Sequence, residues 1–219
     1  MRAILFIISF FLLSGQALHA QQAEVDQSLF LYELYVDGEV YLKNNQRSNG
    51  QLNLFLPTGE FYFLDDTDGN KEKILDNVED VHLVKIGSRL FFPSEKGTLE
   101  ILSSEPQLYV QYKLILTEKA KKVAFGGTSQ LANVKSFSMN STGTGVSLDP
   151  MKMEVKGRYN IYWVEHKGKQ KELRSMKQFL KHFAKHKEAL QTYIDLKNVD
   201  FNDATAMLAL FRYACQLGQ

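Results

Sequence analysis

Apolar and polar side chains alternate with a period of two along much of the first 165 residues. The pattern is cleanest at 108–116, where Leu108, Val110, Tyr112, Leu114 and Leu116 fall on one side and Gln111 and Lys113 on the other. Successive strand residues point to opposite faces, so such a segment buries one of them. Leu52, Leu54 and Leu56 alternate in the same way with Gln51 and Asn53, and shorter apolar segments stand at 61–64, 81–86, 89–92 and 99–102. Met151, Met153 and Val155 set against Lys152, Glu154 and Lys156, and Tyr159, Ile161 and Trp163 set against Asn160 and Tyr162, read as two more strands. Between these runs lie turn residues. Asp37-Gly38, flanked by 29–36 and 40–43, supplies the positive φ of a tight hairpin turn. Ser48-Asn49-Gly50 and Pro57-Thr58-Gly59 read as further turns, and 126–145 as an irregular stretch of Gly, Ser, Thr and Asn enclosing a short strand at 136–139.

The period changes at Ser175. Ser175 and Gln178 make a capping-box pair, in which the two side chains satisfy amides at the start of a helix. Met176, Phe179, Leu180 and Phe183 follow at helical spacing, then Leu190, Tyr193 and Ile194 after a break near His186. Asp200 or Asn202 is positioned to cap a last helix whose stripe is Ala204, Met207, Leu208, Phe211 and Cys215. The expected class is α+β: mainly an antiparallel β sandwich or open barrel at 21–165, with two or three C-terminal helices at 170–219 packed on it.

Ahead of this body, Arg2 precedes an apolar run at 4–13 and the small or polar residues Ser14, Gly15, Gln16, Ala17, Leu18, His19 and Ala20. That order predicts a cleaved secretory signal peptide at 1–20, cut after Ala20, with Ala17 as the fallback. The run is about half the roughly 20 residues that a membrane-spanning helix needs, and no cysteine follows it to carry a lipid. Cys215 is the only cysteine, so the chain forms no internal disulfide; it reads as a buried structural thiol. The expected location is the periplasm or the cell exterior, and no integral membrane segment is expected.

Charge changes the picture in one respect. Lys plus Arg number 26 and Asp plus Glu 25, a balance that argues against a nucleic-acid partner. Residues 21–80, however, carry 13 acids against 4 bases, a net of −9. The preferred reading is that the acidic and basic parts attract each other in the fold.

The candidate chemistry is thin. Residues 65–70 (DDTDGN) resemble a calcium loop, but alignment on Gly69 places Leu64 and Leu75 at ligand positions, so a solvated turn is expected. His182 and His186 share a helical face without a third ligand, and His82 and His166 stand alone. The clusters at 126–129 and 141–145 lack the P-loop lysine and the spacing of a nucleophile elbow, and Asn140 opens a formal glycosylation acceptor. No residue is assigned a catalytic, cofactor-binding or metal role, and no cofactor is called for. The suggestive excess is aromatic: Tyr32, Tyr35, Tyr41, Phe55, Phe61, Tyr62, Phe63, Tyr109, Tyr159, Tyr162 and Trp163 occupy both faces of several strands. Core packing is their preferred role, and a glycan-binding face the alternative.

Two stretches carry a resemblance. Residues 84–93 (VKIGSRLFFP) followed by Gly97-Thr98-Leu99-Glu100, and 177–213 with Phe179-Leu180, Phe183, Tyr193-Ile194, Asp200-Phe201 and Leu210, resemble small exported proteins common in Bacteroidetes genomes, a group whose activity is unassigned. The resemblance implies a Gram-negative setting and contributes no functional residues. The leading expectation is a non-catalytic binding or accessory protein of the bacterial envelope, contacting an envelope protein or glycan through an aromatic sheet face or the basic helical end. The alternative is a hydrolase with a dispersed carboxylate site.

Overall fold

The computed structural model describes residues 26–119, 153–166 and 169–218. The predicted signal peptide, the irregular stretch with its strand at 136–139, the clusters at 126–129 and 141–145, and Asn140 lie outside them. Ten strands come first: β1 (Val36–Leu42), β2 (Arg47–Phe55), β3 (Glu60–Asp65), β4 (Lys71–Ile74), β5 (Val81–Ile86), β6 (Arg89–Phe92), β7 (Leu99–Ser104), β8 (Gln107–Glu118), β9 (Met153–His166) and β10 (Lys169–Leu173). Three helices follow: α1 (Met176–His182), α2 (Lys187–Lys197) and α3 (Ala204–Leu217). The fold is α+β, with one open antiparallel sheet in the order β10-β9-β8-β7-β6-β5-β1-β2-β3-β4 and the helices after it. No helix among the described residues is long and apolar enough to cross a membrane.

Directly paired residues in an antiparallel sheet share a face. One such row crosses seven strands: Leu173, Tyr162, Val110, Glu100, Phe91, Val84 and Val40. This is the inner face, and it is covered in two ways. The helices bury Leu108, Val110, Tyr162, Val164 and Leu173 beneath Phe179, Leu190, Met207, Leu210 and Phe211. Further along, the sheet curls so that Val40, Leu52, Leu54, Phe61, Val84 and Phe91 meet Leu114, Leu116 and Met153 from the far ends of β8 and β9. A chain segment at 26–35 closes this second core. Leu29 and Phe30 are fully buried. Asn53 brackets the backbone of Tyr32, accepting from its N–H at 3.2 Å and donating to its carbonyl at 2.9 Å. Arg158 donates to the carbonyls of Ser28, Phe30 and Leu31.

Several local expectations change. The segment 29–36 is not the first arm of a hairpin: β1 runs through Asp37-Gly38, and the turn falls at 43–46. Gly38 is there for space, because a Cβ would sit 2.4 Å from the Lys85 carbonyl oxygen and 2.7 Å from Leu52 Cδ1. Its cross-strand partner is Gly50, so Ser48-Asn49-Gly50 is likewise strand and not turn. The turn at 57–59 stands, with Gly59 at φ 78°. The two strands read at 151–155 and 159–163 are one 14-residue strand, whose pairing shifts register opposite Ile115 and Leu116. The short polar strands β4 and β10 have no apolar alternation to reveal them.

At the helical end, the Ser175 hydroxyl oxygen accepts from Gln178 N–H, and the Gln178 side chain accepts from the N–H of Arg174, one residue before the cap. The break near His186 is a one-turn 3-10 helix at Ala184–His186. α3 is capped by Asp203, which accepts from the amides of Thr205 and Ala206. Asp200 and Asn202 do other work: Asp200 accepts from Asn202 N–H, and Asn202 holds Asn160 from the sheet through its side-chain oxygen and its carbonyl.

Candidate functional site

Glu100 is the one charged residue of the seven-strand inner row, and it is 5 % exposed. A buried carboxylate is tolerated only with dedicated donors. Arg89 supplies two, Nε at 2.8 Å and Nη2 at 2.6 Å, and the Tyr112 hydroxyl donates a third at 2.5 Å. The guanidinium lies 4.9–5.3 Å from the ring centres of Tyr32, Phe91 and Tyr112, a cation–π cage. Burial works against the Arg89 charge, but the Glu100 bonds and the surrounding rings outweigh it and raise its pKa. Burial and the Glu100 charge likewise push the Tyr112 hydroxyl up. The three donors come from the protein itself and tie the carboxylate of β7 to β6 and β8. The cluster is therefore a polar joint between the two cores.

The opposite, outer face of β6–β9 differs in kind. Leu99, Ile161 and Trp163 pack there with Phe92, Tyr109 and Tyr159, and the helices lie on the other side of the sheet. Tyr109 pairs directly with Trp163, and its ring meets Phe92 edge-on at 5.2 Å. Tyr159 lies four residues from Trp163 along β9, about 13 Å at strand rise. The turn at 93–98 leans over the Trp163 end: Gln111 donates to the Lys96 carbonyl at 2.6 Å, the Lys96 ammonium sits 4.1 Å from the centre of the Trp163 rings, and Gln170 accepts from that ammonium at 2.9 Å. Trp163 is 8 % exposed, and its indole N–H is buried with no acceptor among the described residues. Burial raises the Tyr109 pKa, with Glu165 adding to the effect.

A groove of about 1170 Å³ opens where β1–β3 meet the loop at 75–80. Val40, Leu52 and Phe63 are among its apolar lining, and among the described residues Asp37, Glu39, Asp65, Asp66, Asp76 and Asp80 are its acids and Lys85 its one cation. Glu39 is held below the ordinary carboxylate range by hydrogen bonds from Tyr41 and Lys85, and Asp65 is held down to about 2 by Lys73 and Thr67. Lys85–Glu39 is an ion pair joining 26–80 to the rest of the chain, and the Lys119 charge helps to hold the Asp26 pKa down, behind the hydrogen bonds from Ser28.

The residues singled out in the sequence are scattered. At 65–70 the chain makes a 3-10 turn closed by Gly69 in the left-handed region, with the Asp65 and Asp68 carboxylates bonded to Lys73 and Lys71. His182 is half-buried, its ring edge-on to Phe183 at 4.6 Å, and His186 is in the neighbouring 3-10 turn. His82 is exposed on β5, and His166 ends β9. Cys215 is half-buried in α3, and burial raises its thiol pKa. The eleven aromatics are all buried or half-buried, as the core reading expects, but Tyr109, Tyr159 and Trp163 belong to the outer layer.

The sequence reading missed Arg89, Glu100 and Lys96. A signal existed for the first two: Arg89 opens the short apolar run at 89–92, and Glu100 interrupts the one at 99–102. None existed for Lys96, which reaches Trp163 from a turn far away in sequence. No family model, no curated protein and no solved structure matches the chain.

Proposed function

We propose that this is an exported, non-catalytic binding protein of the bacterial envelope, and that the outer face of β6–β9 is its contact surface for a linear glycan. The observation that carries the reading is Trp163: a buried indole N–H with no acceptor among the described residues, in a ring over which the Lys96 ammonium sits. Aromatic rings set flush in a sheet present flat apolar faces with polar tips, which suits the C–H faces and hydroxyls of sugars. The row from Trp163 to Tyr159 has the length of two or three pyranose rings, taking about 13 Å from strand rise. Pull-down on insoluble polysaccharides tests it. Tyr109→Ala and Tyr159→Ala lose retention while melting within a few degrees of wild type; retention unchanged in both defeats the reading. Export is tested separately, by the mass of the envelope-fraction protein, which begins at Gln21.

A second reading, a hydrolase, has the acidic groove as its place. Its disadvantage is that Glu39 and Asp65 are held ionised by lysines, whereas a general acid needs a raised pKa. Turnover of glycoside or ester substrates that is lost in Asp76→Asn or Asp80→Asn would favour it over binding alone.

A further inference from the structure

Charge in this molecule is sorted across the sheet. β10, with α1 after it, lies at one edge of the strand order, and the acidic groove is built from β1–β3 toward the other. Residues 169–187 carry seven Lys or Arg and a single acid, Glu172, which is bonded to Arg174. Lys171, Lys177, Lys181, Lys185 and Lys187 are exposed and make no ion pair among the described residues. Lys177 and Lys181 are one helical turn apart on α1, on the side away from the buried Phe179 and Leu180. Lysines on an edge strand discourage strand addition, which accounts for Lys171 but not for those on the helical turns.

We propose that this edge rests on the anionic phospholipid headgroups of a bilayer surface. Clustered lysines gain attraction near such a surface, and the gain fades within a Debye length. The acidic groove, repelled by the same field, is turned away from the membrane, so the sorting of charge also sets orientation. Beyond Lys187 the exposed side of α2 carries Glu188 and Asp195 against Lys197, and does not join the contact. Contact is therefore confined to β10, α1, the Ala184–His186 turn and Lys187 at the start of α2, and is peripheral and electrostatic, without an inserted helix. This inference is independent of the glycan reading, since it uses none of the outer-face residues.

The test is co-sedimentation of the chain beginning at Gln21, so that the apolar run at 4–13 does not itself enter the bilayer. Vesicles of phosphatidylcholine with a quarter phosphatidylglycerol retain it at 50 mM salt, and pure phosphatidylcholine vesicles do not. Lys177→Gln/Lys181→Gln/Lys185→Gln lowers the partition coefficient about a hundredfold, 500 mM salt abolishes binding, and Lys→Arg at the same three positions keeps it. Lys43→Gln/Arg47→Gln, exposed cations in the acidic half, leaves it within about twofold. No binding to the anionic vesicles, an equal loss from the Lys43/Arg47 variant, or retention only on an anionic polymer such as heparin would overturn the proposal.

Discussion

Gly38 on β1 faces Gly50 on β2 directly, yet only Gly38 is confined: its missing side chain makes room for the Lys85 carbonyl and Leu52, whereas a Cβ on Gly50 meets nothing within 4 Å. The two glycines therefore separate a packing requirement from a backbone preference. Gly38→Ala forces β5 away from β1 and costs about 3 kcal/mol or more, at the upper end for overpacking. Gly50→Ala is neutral or stabilises by up to about 1 kcal/mol, because glycine weakens a strand interior. Urea titration of both variants checks the pair, and equal costs would contradict it.

The Arg89–Glu100 joint predicts an asymmetry of its own. Glu100→Ala leaves a caged guanidinium without its carboxylate and costs about 3 kcal/mol or more. Tyr112→Phe removes one of three donors and costs about 1–2 kcal/mol. A double-mutant cycle between Arg89 and Glu100 gives a coupling well above 1 kcal/mol, whereas additive effects would show that the bidentate bond contributes nothing specific.

Asp65 sets a dependence on acid. Hydrogen bonds from Lys73 and Thr67 lower its folded-state pKa to about 2 from the ordinary 3.8. A carboxyl with a lowered folded pKa adds stability above its unfolded value, and loses it as pH falls from about 4 through about 2. NMR titration of the Asp65 carboxyl gives a midpoint near 2, and Lys73→Gln moves it back toward 3.8. A wild-type midpoint at 3.8 would contradict the bonding described.

The strands with clean alternation, β8 above all, were legible because burial of one face writes itself into every second residue. The helices were legible from Ser175 and the apolar stripes. Asp37-Gly38 misled because a glycine placed for close approach and a glycine placed for positive φ look identical in one dimension. β4 and β10 were invisible because short edge strands of mostly charged residues have no apolar alternation, β10 burying the single apolar residue Leu173. Of the outer-face layer, the rings of Tyr109, Tyr159 and Trp163 were visible. Their segregation from the core followed from register, and the Lys96 cap from a turn 67 residues before Trp163, neither of which local pattern encodes.

Trp163 is the chain's single tryptophan, so its fluorescence reports on the proposed contact face without labelling. Titration with chitotriose, cellotriose, maltotriose and laminaritriose is predicted to give a saturable change in emission with at least one of them, as the sugar takes the place of the Lys96 ammonium over the indole. Tyr109→Ala weakens that response at least tenfold, with the fold intact by circular dichroism. Emission that none of the four alters, or a response identical in wild type and Tyr109→Ala, would contradict the account.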